Sequence, residues 1–245
     1  MEGDPQALAG RLVRRLSDRD GTISCAESCT GGLLASVLTD LSGASRWFAG
    51  SIVAYTPTAK VEFLGVADSS IERKGTISVQ VAREMASGIR SSTRSDLGIS
   101  ITGVAGPDED EGKEPGTVVI GLSFAPAEDP EVESLTIARR FDLPSGTRTE
   151  NKTLFVTTAL EYAMEEWDRR MESLQRYRED EEKERERMAE ELRQAELDEL
   201  RREEERLERL SSERARLVDP EWSEDADWEG RQDDLDVEWD GSSPQ

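Results

Sequence analysis

Apolar residues recur along the first two-thirds of the chain at two periods, and the two periods alternate. Leu8, Leu12, Val13 and Leu16 fall on one face at helical spacing, which predicts an amphipathic helix. Asp4-Pro5 supplies its N-cap and first position, and it runs to about Asp18. Thr22 to Ala26 is a short strand, Gly31 to about Asp40 a helix, and Trp47 to Tyr55 a strand. Thr56-Pro57 opens a short helix that ends at Gly65, and Ser78 caps one running to about Arg90. Leu97 to Ile101, Thr117 to Phe124 and Val132 to Phe141 read as strands, and Ser145 starts a helix that continues far along the chain. Interleaved helices and strands predict an α/β fold: one layered domain with helices packed on both faces of a mixed sheet, plus a long charged C-terminal helix.

Glycines follow two of the strands, in Thr30-Gly31-Gly32 and in Thr102-Gly103-Val104-Ala105-Gly106-Pro107. Ligands of open α/β sheets sit at strand-end loops, so the two turns are expected to converge on one pocket. The acidic loop Asp108 to Pro115 reads as a mobile rim.

From about Glu165 the pattern changes to dense Glu and Arg. Met171, Leu174, Met188, Leu192, Leu200, Leu207, Leu210 and Leu217 recur near heptad spacing, but the register breaks between Leu174 and Met188 and drifts afterwards. A solvated helix held by i,i+4 Glu–Arg pairs fits this better than a sustained seam, with a weak dimeric coiled coil as the alternative. Pro220 ends the helix, and the acidic remainder carrying Trp222, Trp228 and Trp239 reads as disordered. The expected organisation is a globular domain over 1–166, a charged helical extension over 167–218 and an acidic tail over 219–245. No internal repeat interrupts it.

Charge and composition narrow the function. Among 245 residues there are 54 Asp and Glu against 31 Lys and Arg, a net charge of −23. Nucleic-acid binding needs clustered basic residues, so this balance argues against it. The basic residues are mostly Arg, and an acidic, Lys-poor surface resembles proteins of salt-accumulating organisms, where salt screens carboxylate repulsion. The first residues lack a signal peptide's basic and apolar regions, and no apolar run is long enough for a membrane span, so a cytoplasmic location is expected. Cys25 and Cys29 read as small buried hydrophobes. There is no histidine, which excludes Ser-His-Asp and Cys-His catalysis within one chain and argues against a His-ligated metal.

Candidate chemistry gathers at Ile23-Ser24-Cys25-Ala26-Glu27-Ser28-Cys29-Thr30-Gly31-Gly32-Leu33-Leu34-Ala35. Strand, tight polar turn and helix start would set the Ser28 hydroxyl beside unpaired backbone N–H groups at a helix's positive end. Such a place holds a nucleophile with its oxyanion hole, or cradles a phosphate. Close packing of helix on strand would read the same way. If Ser28 is activated, the base is a carboxylate, a tyrosine or a lysine. Lys60, in the first turn of the Thr56–Leu64 helix, sits where the dipole and partial burial both favour a neutral amine, a competent base for serine. Tyr55 stands just before that helix, and Ser45 offers a second hydroxyl in Gly43-Ala44-Ser45-Arg46-Trp47-Phe48.

Ala26-Glu27-Ser28-Cys29-Thr30-Gly31-Gly32, Gly43-Ala44-Ser45, Val53-Ala54-Tyr55-Thr56-Pro57-Thr58-Ala59-Lys60, Ile101-Thr102-Gly103-Val104-Ala105-Gly106-Pro107 and Pro115-Gly116-Thr117-Val118 occur in one order. Together, over about residues 5 to 165, they strongly resemble the CinA C-terminal domain family, the nicotinamide-nucleotide amidohydrolases. The resemblance implies hydrolysis of the carboxamide of nicotinamide mononucleotide to nicotinic acid mononucleotide and ammonia, by a Ser/Lys mechanism without metal or cofactor. It implies Ser28 as nucleophile and Lys60 as base, with Tyr55 and Ser45 moving protons or positioning the amide. Thr30, Gly31, Gly32, Thr102, Gly103 and Gly106 would line the substrate site, and Arg148 would pair with the 5′-phosphate. Either Ser28 or Ser45 qualifies as the attacking hydroxyl; the strand-to-helix turn favours Ser28, through oxyanion donors at Thr30 and Gly31. The implied partners are a small nucleotide substrate and further copies of the chain, as a homodimer or higher homo-oligomer, with an unidentified partner for the acidic tail. The family's Ser-Asn-Glu-Ala-Lys type stretch reads Thr56-Pro57-Thr58-Ala59-Lys60 here, and the segment before Gly116-Thr117-Val118 is acidic and shortened. The metal-dependent nucleotide-hydrolase domain of longer CinA proteins has no counterpart, so its activity is not expected. The alternative from another class is a nucleotide-binding module of little turnover whose acidic helix recruits a partner.

Overall fold

The computed structural model describes residues 3–126 and 134–217, the side chains as far as 214. Contacts divide the chain into two units, Met1–Glu179 and Asp180–Gln245. In the first, a five-stranded sheet has the order β2-β1-β3-β4-β5, with β1 Ile23–Glu27, β2 Phe48–Val53, β3 Leu97–Gly103, β4 Thr117–Phe124 and β5 Leu135–Asp142. β2, β1 and β3 run parallel, while β4 and β5 are antiparallel additions. The sheet is therefore mixed, as expected. The helices are α1 Pro5–Ser17, α2 Leu33–Thr39, α3 Pro57–Leu64, α4 Asp68–Lys74, α5 Val79–Thr93 and α6 Arg148–Leu217, with a 3-10 turn at Ala44–Arg46.

Both sheet faces are covered, because side chains alternate between them along each strand. One face buries Leu8, Leu12 and Leu16 of α1 and Phe155, Ala159, Leu160, Ala163 and Trp167 of α6 against Ile23, Cys25, Leu97, Ile99 and Ile120. The other buries Ala26, Ala54, Leu64, Val66, Val81, Met85 and Ile89. Here the strands carry small residues and α5 lies almost on the backbone. A Cβ at Gly98 would come 2.4 Å from the Ala86 carbonyl oxygen, and one at Gly121 2.3 Å from that of Ala82. The Ser100 hydroxyl donates to the same Ala82 oxygen at 2.6 Å.

The sequence signals that set the ends of α1 and α3 act as read. Asp4 caps α1, with Pro5 first. The Thr56 hydroxyl accepts from Ala59 N–H, and Gly65 closes α3 in the left-handed conformation. Other edges move. α2 begins at Leu33, so Gly31 and Gly32 belong to the turn before it. α4 was not expected at all: Ile71 is its one apolar residue, too little for a period to register. Val132 and Glu133, in the expected last strand, lie outside the described residues, as does everything from 218 on, including Pro220 and the three C-terminal tryptophans.

The start of α6 is integral to the first unit. Trp167 is 5 % exposed, and Asp168 accepts two hydrogen bonds from the Arg15 guanidinium at 2.8 Å. In the second unit, α6 carries short-range pairs such as Lys183–Asp180, Arg187–Glu184 and Arg201–Asp198. Met188, Leu192, Leu200, Leu207 and Leu210 are all exposed there.

Candidate active site

β1 and β3 deliver their C-terminal ends side by side: Glu27 pairs with Ile101, and Ser28 N–H donates to the Ile101 carbonyl at 3.0 Å. The two glycine-bearing strand ends thus meet, as the sequence suggested. Ser28 is 8 % exposed and Lys60 1 %. Lys60 Nζ stands 3.0 Å from Ser28 Oγ, 2.9 Å from the Ala54 carbonyl oxygen and 3.3 Å from that of Tyr55. A neutral amine fits these partners: two N–H groups for the two carbonyls, and a lone pair for the Ser28 proton. Burial lowers the pKa of Lys60 from its ordinary 10.5, against the pull of Cys29, Glu111 and Asp110. Cys29 would pull only as a thiolate, and burial pushes its own pKa up to about 12. Desolvation is therefore what favours the neutral amine, the burial that was expected to act beside the helix dipole.

The head of α2 differs from expectation. Its amides are not open to a ligand, because Glu27 fills the place. Glu27 is wholly buried, and its carboxylate accepts from Gly32 N–H at 3.0 Å, Leu34 N–H at 3.1 Å and Ala35 N–H at 2.8 Å. Gly31 N–H donates to the Ser28 carbonyl at 3.1 Å. Gly31 and Gly32 take positive φ, 63° and 94°, which glycine adopts without a Cβ penalty. Their part is to let the turn form, and the oxyanion donor expected at Gly31 is already spent. The Thr30 amide keeps no partner among the described residues, and neither does its fully buried hydroxyl.

The remaining expected residues separate into three groups. Arg148, first in α6, donates to the Tyr55 phenol oxygen at 2.6 Å and to the Gly106 carbonyl. The Tyr55 side chain, 53 % exposed, therefore engages Arg148, and only its backbone carbonyl reaches Lys60. Thr102 and Gly103 are structural in their contacts. The Thr102 hydroxyl donates to the Thr76 carbonyl at 3.0 Å, and a Cβ at Gly103 would meet the Thr117 carbonyl oxygen at 2.5 Å. Ser45 is not brought to Lys60. It is exposed and precedes β2, whose Phe48 lies beside Ile23 at the start of β1, while Ser28 follows the end of β1. The parallel crossover thus leaves Ser45 a strand length away, about 16 Å at ~3.3 Å per residue.

Three further residues were not singled out from the sequence. Glu27 was legible in principle, as an acid just before a glycine-rich helix start. Asn151, 1 % exposed, donates to the Ala105 and Gly146 carbonyls and accepts from Gly146 N–H, tying the β3 loop to α6. Lys152 stands over the Ser28–Gly32 turn, its Nζ 3.6 Å from the point a Cβ would occupy on Gly31. The acidic rim is anchored: the Glu111 carboxylate accepts from Thr76 N–H and hydroxyl and from Ile77 N–H. A cavity of about 580 Å³, lined in part by Asp4, Ser145, Thr149 and Thr157, has neither Ser28 nor Lys60 in its lining. Among the described residues no cluster of three or more His, Cys, Asp or Glu is arranged to hold a metal ion, and no helix is long and apolar enough to cross a membrane.

The model of the CinA C-terminal domain family matches residues 5–167. A protein of Bacillus subtilis strain 168 described as competence-damage inducible is 49% identical over 120 residues, 49% of this chain and 29% of that protein. A CinA-like protein of Thermosynechococcus vestitus is 40% identical over 156 residues, 63% of this chain and 36% of that protein. The match thus spans about a third of these relatives' length. Among solved structures, a CinA superfamily protein of Klebsiella pneumoniae superposes with a TM-score of 0.62 at 26% identity, covering 68% of this chain and 99% of that one. A competence/damage inducible protein of Agrobacterium tumefaciens gives 0.59 at 32% identity, covering 66% and 94%.

Proposed function

The chain belongs to the CinA C-terminal domain family, and from that premise we propose that it is an amidohydrolase acting on the carboxamide of nicotinamide mononucleotide. The observation that carries the reading is the buried Lys60 amine within hydrogen-bond reach of the Ser28 hydroxyl. Neutral Lys60 accepts the Ser28 proton as Oγ attacks the carboxamide carbon. The Thr30 amide, left without an internal partner, is suited to donate to the oxygen as its charge develops. Lys60 then passes its proton to the departing nitrogen, which leaves as ammonia and leaves an acyl ester on Ser28. A water molecule, deprotonated by the same amine, hydrolyses the ester to nicotinic acid mononucleotide and frees Ser28.

Arg148 is placed to fix the Tyr55 phenol and the Gly106 loop at one side of the reacting centre. No step above requires a metal, and activity is expected to survive EDTA. The acidic surface supports operation in high salt, where repulsion among 54 carboxylates is screened. The test is ammonia release from nicotinamide mononucleotide by the purified chain in molar salt. Release by the wild type and none by Ser28→Ala supports the reading, whereas a folded wild type that releases no ammonia rejects it.

A further inference from the structure

Charge nearly vanishes from one stretch of an otherwise highly charged chain. Charged residues make up 35% of the whole, yet from Ser28 to Ala59 there are two, Asp40 and Arg46, and they cancel. This stretch forms α2, the 3-10 turn and β2, and β2 is an edge of the sheet. Its surface is open: Ser36, Thr39, Ala49 and Tyr55 are exposed, and Val53 is 47 % exposed.

The strand Phe48–Val53 itself holds no charge and no proline. Ala54 N–H donates to the Glu27 carbonyl at 2.8 Å, so by alternation the N–H and C=O groups of Ser51 and Val53 point away from β1. Among the described residues no strand pairs with them. Apolar side chains flank this edge on both faces of the sheet. Leu33 and Phe48 are half-buried on one face, and Ile52 and Ala59 on the other. Phe63, one turn beyond Ala59 in α3, is 58 % exposed. The opposite edge, β5, carries Arg139, Arg140 and Asp142, and Arg140 pairs with Asp142 at the surface. Sheets that stay unpaired guard their edges with such charges or with proline. A bulge displaces Ala49 in β2, but Ser51, Ile52 and Val53 keep their register with β1 and have no such guard.

We propose that β2 is the interface with a second copy of this chain, the two edges pairing antiparallel about a two-fold axis. The two sheets then form one of ten strands, five from each copy. A strand edge is complementary to itself in this arrangement, so the outward groups of Ser51 and Val53 are satisfied on both chains at once. Two chains of net charge −23 repel each other, and they can meet where the surface carries no net charge. The contact consumes the β2 edge of each copy and leaves the charged β5 edge outside, so the assembly closes at a dimer. Nothing in this depends on the amidohydrolase reading.

The test uses the full chain in molar salt. Sedimentation should give the wild type about twice the 27.3 kDa mass of the chain. Val53→Lys and Ala49→Lys each put a cation on the edge at an exposed position, and each is first shown to keep the wild-type circular dichroism. Either should raise the dimer dissociation constant at least about tenfold, because the ammonium loses water there and faces its own copy. Leu207→Lys, at an exposed position of α6, should leave the dimer intact. Hydrogen exchange of the wild type needs no variant: the Ser51 and Val53 amides should be protected above the dissociation constant and exchange at least about tenfold faster on dilution below it. A monomeric wild type overturns the proposal, as does association that survives both edge lysines. Association lost in Leu207→Lys but kept in the edge variants, or exchange at Ser51 and Val53 that ignores dilution, overturns it equally.

Discussion

Replacing Glu27 separates a head of α2 that is filled from one that is open. Its carboxylate accepts three backbone N–H groups at 2.8–3.1 Å, and the N-cap position itself, Gly32, offers no side chain. Hydrogen bonds to a charged group contribute about 1.5–3 kcal/mol each, and three sharing one carboxylate are not additive. Glu27→Ala leaves these three N–H groups without an acceptor, and a buried donor left unpaired costs about 1–3 kcal/mol, so a non-additive loss of roughly 3–5 kcal/mol is expected. Glu27→Gln keeps one carbonyl acceptor but turns an NH2 group against an amide N–H, so about half that loss is expected. In a domain of this size 1 kcal/mol moves Tm by about 2–4 °C. Glu27→Ala should therefore melt roughly 6–20 °C below the wild type, read by circular dichroism at fixed salt. A melting point within about 1 °C of the wild type would refute the reasoning, since only substitutions that break no such feature are that mild. Increased phosphate affinity in Glu27→Ala would be consistent with the filled arrangement, because the carboxylate is then what excludes an anion from this helix start.

Lys60→Met should lose at least about a hundredfold in kcat, as expected for removing a general base. Folding disfavours the Lys60 cation, so its folded pKa lies below the unfolded 10.5; the residue costs stability at neutral pH, and the cost fades as pH rises toward 10.5. Lys60→Met should flatten that rise in a melting-temperature series, and in the wild type kcat/KM should increase with pH through the lowered pKa of Lys60. Gly88→Ala would place a Cβ 1.8 Å from the Leu64 carbonyl oxygen at the end of α3; overpacking of about 1–3 kcal/mol is expected, with slower turnover because α3 carries Lys60. Truncation after Glu179 should keep the fold and ammonia release, because Trp167, Asp168 and Met171, which contact the core, all precede that point; unfolding of that fragment in molar salt would contradict it.

What could be read from the sequence follows from the range of the interactions. β4 matches its expected limits because a largely apolar run is buried at every position on both faces, and α3 because Thr56, Pro57 and Gly65 act on neighbouring residues. The meeting of the Ser28 and Gly103–Gly106 turns was legible because parallel neighbouring strands bring their C-terminal ends together. Lys60 was chosen for its place on a helix, but the decisive cause, its burial against Ala54, Tyr55 and Ser28, is tertiary. Glu27 was missed because its partners are amides five to eight residues onward, and no side-chain pattern marks them. Ser45 was misplaced because motif order says nothing of which end of a parallel strand a turn occupies.

The Ser28/Lys60 assignment is tested most directly by acid-quenching the enzyme during turnover of nicotinamide mononucleotide and mapping acylated peptides by mass spectrometry. An acyl ester on the peptide bearing Ser28 is expected in the wild type. It should be absent from Ser28→Ala and strongly reduced in Lys60→Met. An ester on Ser45, or ammonia release by Ser28→Ala at the wild-type rate, would contradict the assignment.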